Sequence, residues 1–170
     1  TQSRVAGDSE TLGSQAVCAD CGLGTFNADN DKTVEVACTA CHTCEKGEYI
    51  TTACSVTTQR VCATCGLNTY SDAVNSASCT NCAAGTENSD NAQTAAAHDD
   101  SSDCAVCVAG KYSDAGSACT GCPKGSFNNP NPSTAAGHAG IGSCTICLAH
   151  QYADNEGSTA CTACSSTEGD

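Results

Sequence analysis

"CAVCVAGKYSDAGSACTGC", residues 104–122, holds two C-x-x-C pairs, a glycine three residues after Cys107 and a tyrosine five residues after it. Working outward, the same address recurs along the chain. Beside Cys104/Cys107 and Cys119/Cys122 stand Cys18/Cys21, Cys38/Cys41, Cys62/Cys65, Cys79/Cys82, Cys144/Cys147 and Cys161/Cys164, with Cys44 and Cys54 added after the second pair. Five residues beyond the cysteine that opens each segment come Phe26, Tyr49, Tyr70, Tyr112, Phe127 and Tyr152, which are all the aromatic residues present. The segment opened by Cys82 has Glu87 there instead. Three residues beyond the same cysteines stand Gly24, Gly47, Gly85, Gly110 and Gly125, with Asn68 and His150 in the two remaining segments. Glycine takes a positive φ without steric cost, and Asn and His tolerate it, so one turn geometry is expected to recur. The unit reads as cysteine, tight turn, aromatic, short strand and return to cysteine. Aromatic residues this regular are read as scaffold, one per unit covering a disulfide.

Composition agrees with that unit. The chain has 170 residues and 18 Cys, with no Met or Trp, and its 39% apolar fraction is inflated by Ala and Cys. Side chains that fill a wide core are scarce, so order must come from cross-links, which implies an oxidising, extracellular or cell-surface setting. The expected fold class is small and disulfide-rich: an elongated rod of tandem Cys-rich repeats with short β-strands and turns and little helix. "GEYITTAC" (47–54) and "VEVAC" (34–38) read as strands, and the Ala-rich "NAQTAAAHDD" (91–100) as a helical turn. A longer period is also present: "CAAGTENSDNAQTAAAH" from Cys82 matches "CPKGSFNNPNPSTAAGH" from Cys122, 40 residues on. The expected segments are a polar tail or end of a preceding repeat (1–17), a repeat at 18–40, a module at 41–65, repeats at 66–122 and 123–164, and a tail at 165–170.

A net charge of −13, a pI near 4.3 and six Lys plus Arg argue against nucleic-acid partners, whose phosphates demand clustered cations. No apolar run reaches the roughly 20 residues of a membrane span, so membrane contact is expected only through an anchor not present in this chain.

The cysteines admit other chemistries, each weighed against its requirements. "CTACH" (38–42) fits the C-x-x-C-H haem pattern, yet occurs once and lacks any Met as a second axial ligand; His42 is read as an exposed loop residue. "CATC…CTNC" (62–82) and "CAVC…CTGC" (104–122) approach zinc-ribbon spacing. Each tetrathiolate site would add a charge of about −2 to a chain already acidic, with almost no Lys or Arg to compensate. Thiol redox catalysis needs a helix N-terminus that the pattern does not offer. His42, His98, His138 and His150 are read as sitting in unrelated loop contexts without a nucleophile motif. "NADND" (27–31) alternates oxygen ligands, but Lys32 and Cys38 stand where a calcium loop requires Gly and Glu. "NPS" (131–133) is no glycosylation sequon because of its Pro. No catalytic residue, metal ligand or cofactor is assigned.

"CHTCEKGEYITTACSVTTQRVCATC" (41–65), with Gly47 and Tyr49 after its second cysteine, closely resembles a cysteine-rich module of the TNF-receptor family. That resemblance implies pairing of Cys41 with Cys54 and of Cys44 with Cys62. The remaining texture looks like ephrin-receptor-like Cys-rich repeats and, in its Ala, Thr, Ser and Asn filling, like the immobilisation antigens that coat ciliate cells. If the two implied bridges hold and none crosses them, pairing neighbours gives Cys21–Cys38, Cys65–Cys79, Cys82–Cys104, Cys107–Cys119, Cys122–Cys144 and Cys147–Cys161. Cys18 and Cys164 are then stranded, to pair with each other if the rod folds back, with a second chain, or with neighbours in a longer array from which this segment was cut. A competing scheme (Cys18–Cys38, Cys21–Cys41, Cys44–Cys54, Cys62–Cys79, Cys65–Cys82 and onward) uses every cysteine internally, and spacing alone leaves the flanks open.

The functional expectation is a non-enzymatic extracellular surface-coat or structural protein, possible member of a larger array or filament, whose partners are copies of itself or neighbouring coat proteins. The alternative is a receptor-type module binding a protein ligand along the rod; a zinc protein is a remote third. An exposed apolar hot spot beyond the repeated aromatic position would favour the receptor. The sequence shows none, which favours the coat.

Overall fold

The computed structural model describes residues 21–27, 38–130 and 134–165. The 1–17 segment, Cys18, the 166–170 tail, most of "VEVAC", all but Asn27 of "NADND" and the "NPS" triplet lie outside them. The chain divides into two compact units, Thr1–Cys41 with Cys54–Gln59, and His42–Ala53 with Arg60–Asp170.

In the first unit, β1 (Thr25–Phe26) pairs antiparallel with β2 (Thr39–Ala40), Thr25 opposite Ala40. Cys41 donates its N–H to Gly24 O at 2.8 Å, and Asn27 donates to Val56 O at 2.9 Å. Cys21–Cys38 and Cys41–Cys54 close this unit.

Among the described residues the second unit holds six antiparallel strand pairs. They are β3 (Glu48–Thr52) with β4 (Val61–Thr64), β5 (Thr69–Tyr70) with β6 (Thr80–Asn81), and β7 (Thr86–Glu87) with β8 (Ala105–Val106). Then follow β9 (Lys111–Tyr112) with β10 (Thr120–Gly121), β11 (Ser126–Phe127) with β12 (Thr145–Ile146), and β13 (Gln151–Tyr152) with β14 (Thr162–Ala163). Two-residue strands bury almost nothing alone, so covalent closure must hold each pair. Cys44–Cys62, Cys65–Cys79, Cys82–Cys104, Cys107–Cys119, Cys122–Cys144 and Cys147–Cys161 do so. The core is correspondingly sulfur: Cys44, Cys65, Cys82, Cys107 and Cys122 are buried, while no Tyr or Phe among the described residues is.

All seven turn positions take the left-handed conformation, from Asn68 at φ 59° and His150 at φ 65° to Gly24, Gly85 and Gly110 at φ 84°. Among the described residues helix is limited to four 3₁₀ turns, Ala95–Ala97, Ser101–Asp103, Ala135–His138 and Ile141–Ser143; the first falls in the Ala-rich stretch. At Ser101–Asp103, the Asp100 carboxylate accepts from Ser102 N at 2.8 Å while Asp103 Oδ2 accepts from Asp100 N at 3.1 Å, a reciprocal cap.

Main-chain hydrogen bonds tie successive loops. Gly47, Gly85 and Gly125 donate to the carbonyls of Ser71, Ser113 and Ala153 at 2.8, 3.0 and 2.8 Å. Asn75, Gly116 and Gly157 donate to the carbonyls of Cys44, Cys82 and Cys122 at 2.8, 2.9 and 2.8 Å. One loop thus recurs, joined to its predecessor each time by the same pair of bonds.

Candidate functional site

A second kind of joint alternates with the first, and it is carried by side chains. The loop closed by Cys82–Cys104 sends Asn88 and His98 against β5. His98 is wholly buried. Its Nδ1 donates to Thr69 O at 2.8 Å, the carbonyl being able only to accept, and its Nε2 faces Asp90 Oδ2 at 3.1 Å. Its own carbonyl accepts from Ser71 N at 2.8 Å. Asn88 donates Nδ2 to Ala97 O at 2.7 Å and accepts Asn68 N on its carbonyl at 2.9 Å. The buried imidazole of His98 and the main-chain carbonyls of Asn88 and His98 therefore serve the open edge of a strand from the preceding loop, while the Asn88 amide braces its own loop at Ala97.

The loop closed by Cys122–Cys144 repeats this against β9, 40 residues on. His138, also wholly buried, meets Lys111 O through Nδ1 at 2.7 Å, and its carbonyl accepts from Ser113 N at 3.0 Å. Asn128 donates Nδ2 to Lys111 O at 2.9 Å, and its carbonyl accepts from Gly110 N at 2.6 Å. The reading of the four histidines as unrelated is thus corrected: His98 and His138 are equivalent pins, whereas His42 is exposed and His150 occupies a turn position. The signal was present in the sequence, because the 40-residue match runs through both Asn residues and ends on both His residues.

The joint is close enough to dictate glycine. A Cβ on Gly47 would stand 2.0 Å from Ala95 O, and one on Gly85 would stand 1.9 Å from Ala135 O. Among the differences between the two loops, Pro130 replaces Asp90 and Gly137 replaces Ala97, and a Cβ at Gly137 would lie 2.5 Å from the Pro130 Cβ.

At Gly125, the third position of this series, a Cβ would meet nothing within 4 Å. A cleft of about 450 Å³ opens there, lined chiefly by Pro123, Lys124, Ser126, Ile141 and Ile146. Ile141 and Ile146 are 59% and 76% exposed. Their counterparts one repeat earlier are Ser101 and Val106, so this loop is the more apolar. Sequence reasoning missed this hot spot, since isolated aliphatic residues carry no signal until the fold gathers them.

The other candidates resolve simply. Cys38 and Cys41 are bonded to Cys21 and Cys54, so "CTACH" has no thiol to offer a haem. The cysteines of both ribbon-like stretches are disulfide-bonded as well. His42, Glu48 and Cys62 bring ligand-type atoms within 4.8 Å of one another, but Cys62 Sγ is held by Cys44. The pairs present include Cys21–Cys38 and Cys41–Cys54, in place of the Cys18–Cys38 and Cys21–Cys41 of the competing scheme. Cys164 is free and exposed, and Cys18 lies outside the described residues.

Three bridges, Cys21–Cys38, Cys41–Cys54 and Cys44–Cys62, with Gly24 and Gly47 at the turns, fall in the segment that the family comparison recognises. Residues 21–62 match the family described as TNFR/NGFR cysteine-rich region. This span is a TNFR-type cysteine-rich region. The TNFR-type module is a non-enzymatic fold, and with eight disulfides in tandem it marks an extracellular or cell-surface protein. No curated protein matches the chain. Among the described residues, no helix is long and apolar enough to cross a membrane.

Proposed function

We propose that the chain is a non-enzymatic structural protein of the cell-surface coat, similar in kind to the immobilisation antigens that its Ala-, Thr-, Ser- and Asn-rich filling resembles. The observation that supports this is the construction itself. Each loop is closed by its own disulfide and joined to its neighbours through main-chain groups and buried Asn and His side chains, so the fold does not depend on the exposed polar side chains. Neighbouring coat proteins or copies of the chain are its partners. Antibodies against the folded chain, applied to intact unpermeabilised source cells, test this. Dense, continuous labelling of the surface is expected, and label found only after permeabilisation would overturn the reading.

A second reading, a receptor-type module for a protein ligand, is favoured by the exposed Ile141 and Ile146. Under it, Ile146→Asp abolishes capture of the ligand from the extracellular medium while leaving the disulfides intact.

A further inference from the structure

Hairpin β13–β14 repeats the hairpins that receive the Asn–His loops, but no Asn–His loop among the described residues sits on it. On β5 and β9 three main-chain sites are occupied by the following loop. The N–H of Asn68 or Gly110 goes to the Asn carbonyl, the carbonyl of Thr69 or Lys111 to the His Nδ1, and the N–H of Ser71 or Ser113 to the His carbonyl. On β13 the equivalents are the N–H of His150, the carbonyl of Gln151 and the N–H of Ala153. No described group bonds to any of the three.

Exposure tells the same story. Residues of β5 and β9 are half-buried, whereas both residues of β13 are exposed, Tyr152 at 45%. Cys65 and Cys107 are 0% and 2% exposed, but Cys147, which opens the third such hairpin, is only partly covered. Gly125 donates to Ala153 O as Gly47 does to Ser71 O and Gly85 to Ser113 O, so the cleft beside Gly125 belongs to this same hairpin. It is the position that Ala95 and Ala135 fill over Gly47 and Gly85. Finally, Cys164 donates its N–H to His150 O at 2.7 Å, as Cys82 does to Asn68 O and Cys122 to Gly110 O, both at 2.8 Å. Cys82 and Cys122 each bond the cysteine that closes an Asn–His loop; Cys164 is free.

We propose that β13, the Gly125 cleft and Cys164 form one preformed socket for a further cysteine-rich loop. Its occupant is a loop supplied by another chain, patterned on the two filled examples: after the cysteine opening the loop, Asn stands at six residues, Ala at thirteen, His at sixteen and a closing Cys at twenty-two, as in 82–104 and 122–144, a pattern that the residues after Cys164 do not follow, Asp170 standing at six. The Asn and His serve the β13 edge, the Ala-containing turn lies over Gly125, and the closing Cys bonds Cys164. Covalent closure oxidises two thiols to one disulfide and is coupled to reduction of a low-molecular-weight disulfide. This holds for a coat protein and a receptor alike.

The probe is a synthetic peptide of residues 123–146, which carries a single cysteine, Cys144, supplied as its mixed disulfide with glutathione. The Cys164 thiolate attacks the peptide sulfur, the new S–S bond forms, the bond to glutathione breaks, and glutathione leaves as thiolate. Adduct at Cys164 of the intact chain, identified by peptide mapping, should form about tenfold more than with a scrambled peptide, because docking raises the effective concentration. The peptide carrying Asn128→Ala and His138→Ala should fall to the scrambled level. In the adduct, hydrogen exchange at the His150 and Ala153 amides should slow. Equal yields from native and scrambled peptides, no adduct with either, or unprotected amides in the adduct would each overturn the socket.

Discussion

Gly85 lies directly beneath Ala135, so that a Cβ on it would stand 1.9 Å from the Ala135 carbonyl oxygen, whereas Gly125, at nearly the same φ, has nothing above it. The pair separates two reasons for glycine that are normally confounded. Gly85→Ala and Gly125→Ala should each cost about 1–2 kcal/mol for an L-residue at positive φ. Gly85→Ala should cost roughly a further 1–3 kcal/mol, because backbone must move to admit the methyl group. Thermal unfolding of the two variants side by side measures the difference; equal loss would mean that the close approach carries no weight.

Removing Asn88 takes a donor from a half-buried carbonyl of its own loop. Asn88→Ala removes the side-chain donor from the Ala97 carbonyl, and Asn128→Ala does the same to the equivalent Gly137 carbonyl, so each should destabilise by about 1–3 kcal/mol. Denaturant titration should show it, with Asn129→Ala, an exposed neighbour, as a near-neutral control.

Pro130 and Gly137 should be coupled. Gly137→Ala alone forces a methyl group against the proline ring and should destabilise by roughly 1–3 kcal/mol. Combined with Pro130→Asp, which restores the pairing found at Asp90 and Ala97, the penalty should largely vanish. A double-mutant cycle checks this, and additive losses would refute it.

The Asp100 carboxyl titrates below its ordinary value of 3.8, chiefly because the Ser102 main-chain N–H donates to the charged form, with Lys46 adding a small attraction. Its ionised form is the one favoured by the fold. The cap's contribution is therefore present above pH 3.8 and fades as the pH falls through the lowered folded-state value. An NMR titration of the Asp100 carboxyl carbon should give a midpoint below 3.8, and Asp100→Ala should abolish the cap.

Reduction should unfold the second unit outright. Its six loops span sequence separations of 12 to 22 residues, each contributing about 3 kcal/mol in the chain-entropy account, with little apolar burial to substitute. Circular dichroism before and after reductant, with the protein held monomeric, measures it.

Much of the architecture was legible in advance because it is set by spacing. Cysteine, turn residue and aromatic keep a constant offset, and a turn that demands positive φ announces itself through Gly, Asn or His. The joints were less legible. A buried His that serves a carbonyl looks in sequence like any loop histidine, and only the 40-residue match marked His98 and His138 as a pair. The cleft was not legible at all: Pro123, Ile141 and Ile146 are far apart in the chain, and nothing in their types foretells their meeting. Disulfide register lay between these cases, since C-x-x-C spacing fits two pairings equally and strand register distinguishes them.

A loop that carries an Asn–His plug on one side and a bare strand edge on the other has a genealogical consequence. Copying 40 codons in frame gives the duplicate a plug already matched to its parent's edge and a fresh edge for the next copy. New interfaces need not be invented when such a gene lengthens. The match between 82–98 and 122–138 is what one such event would leave behind, with Asp90/Ala97 and Pro130/Gly137 recording how the two copies later drifted in step.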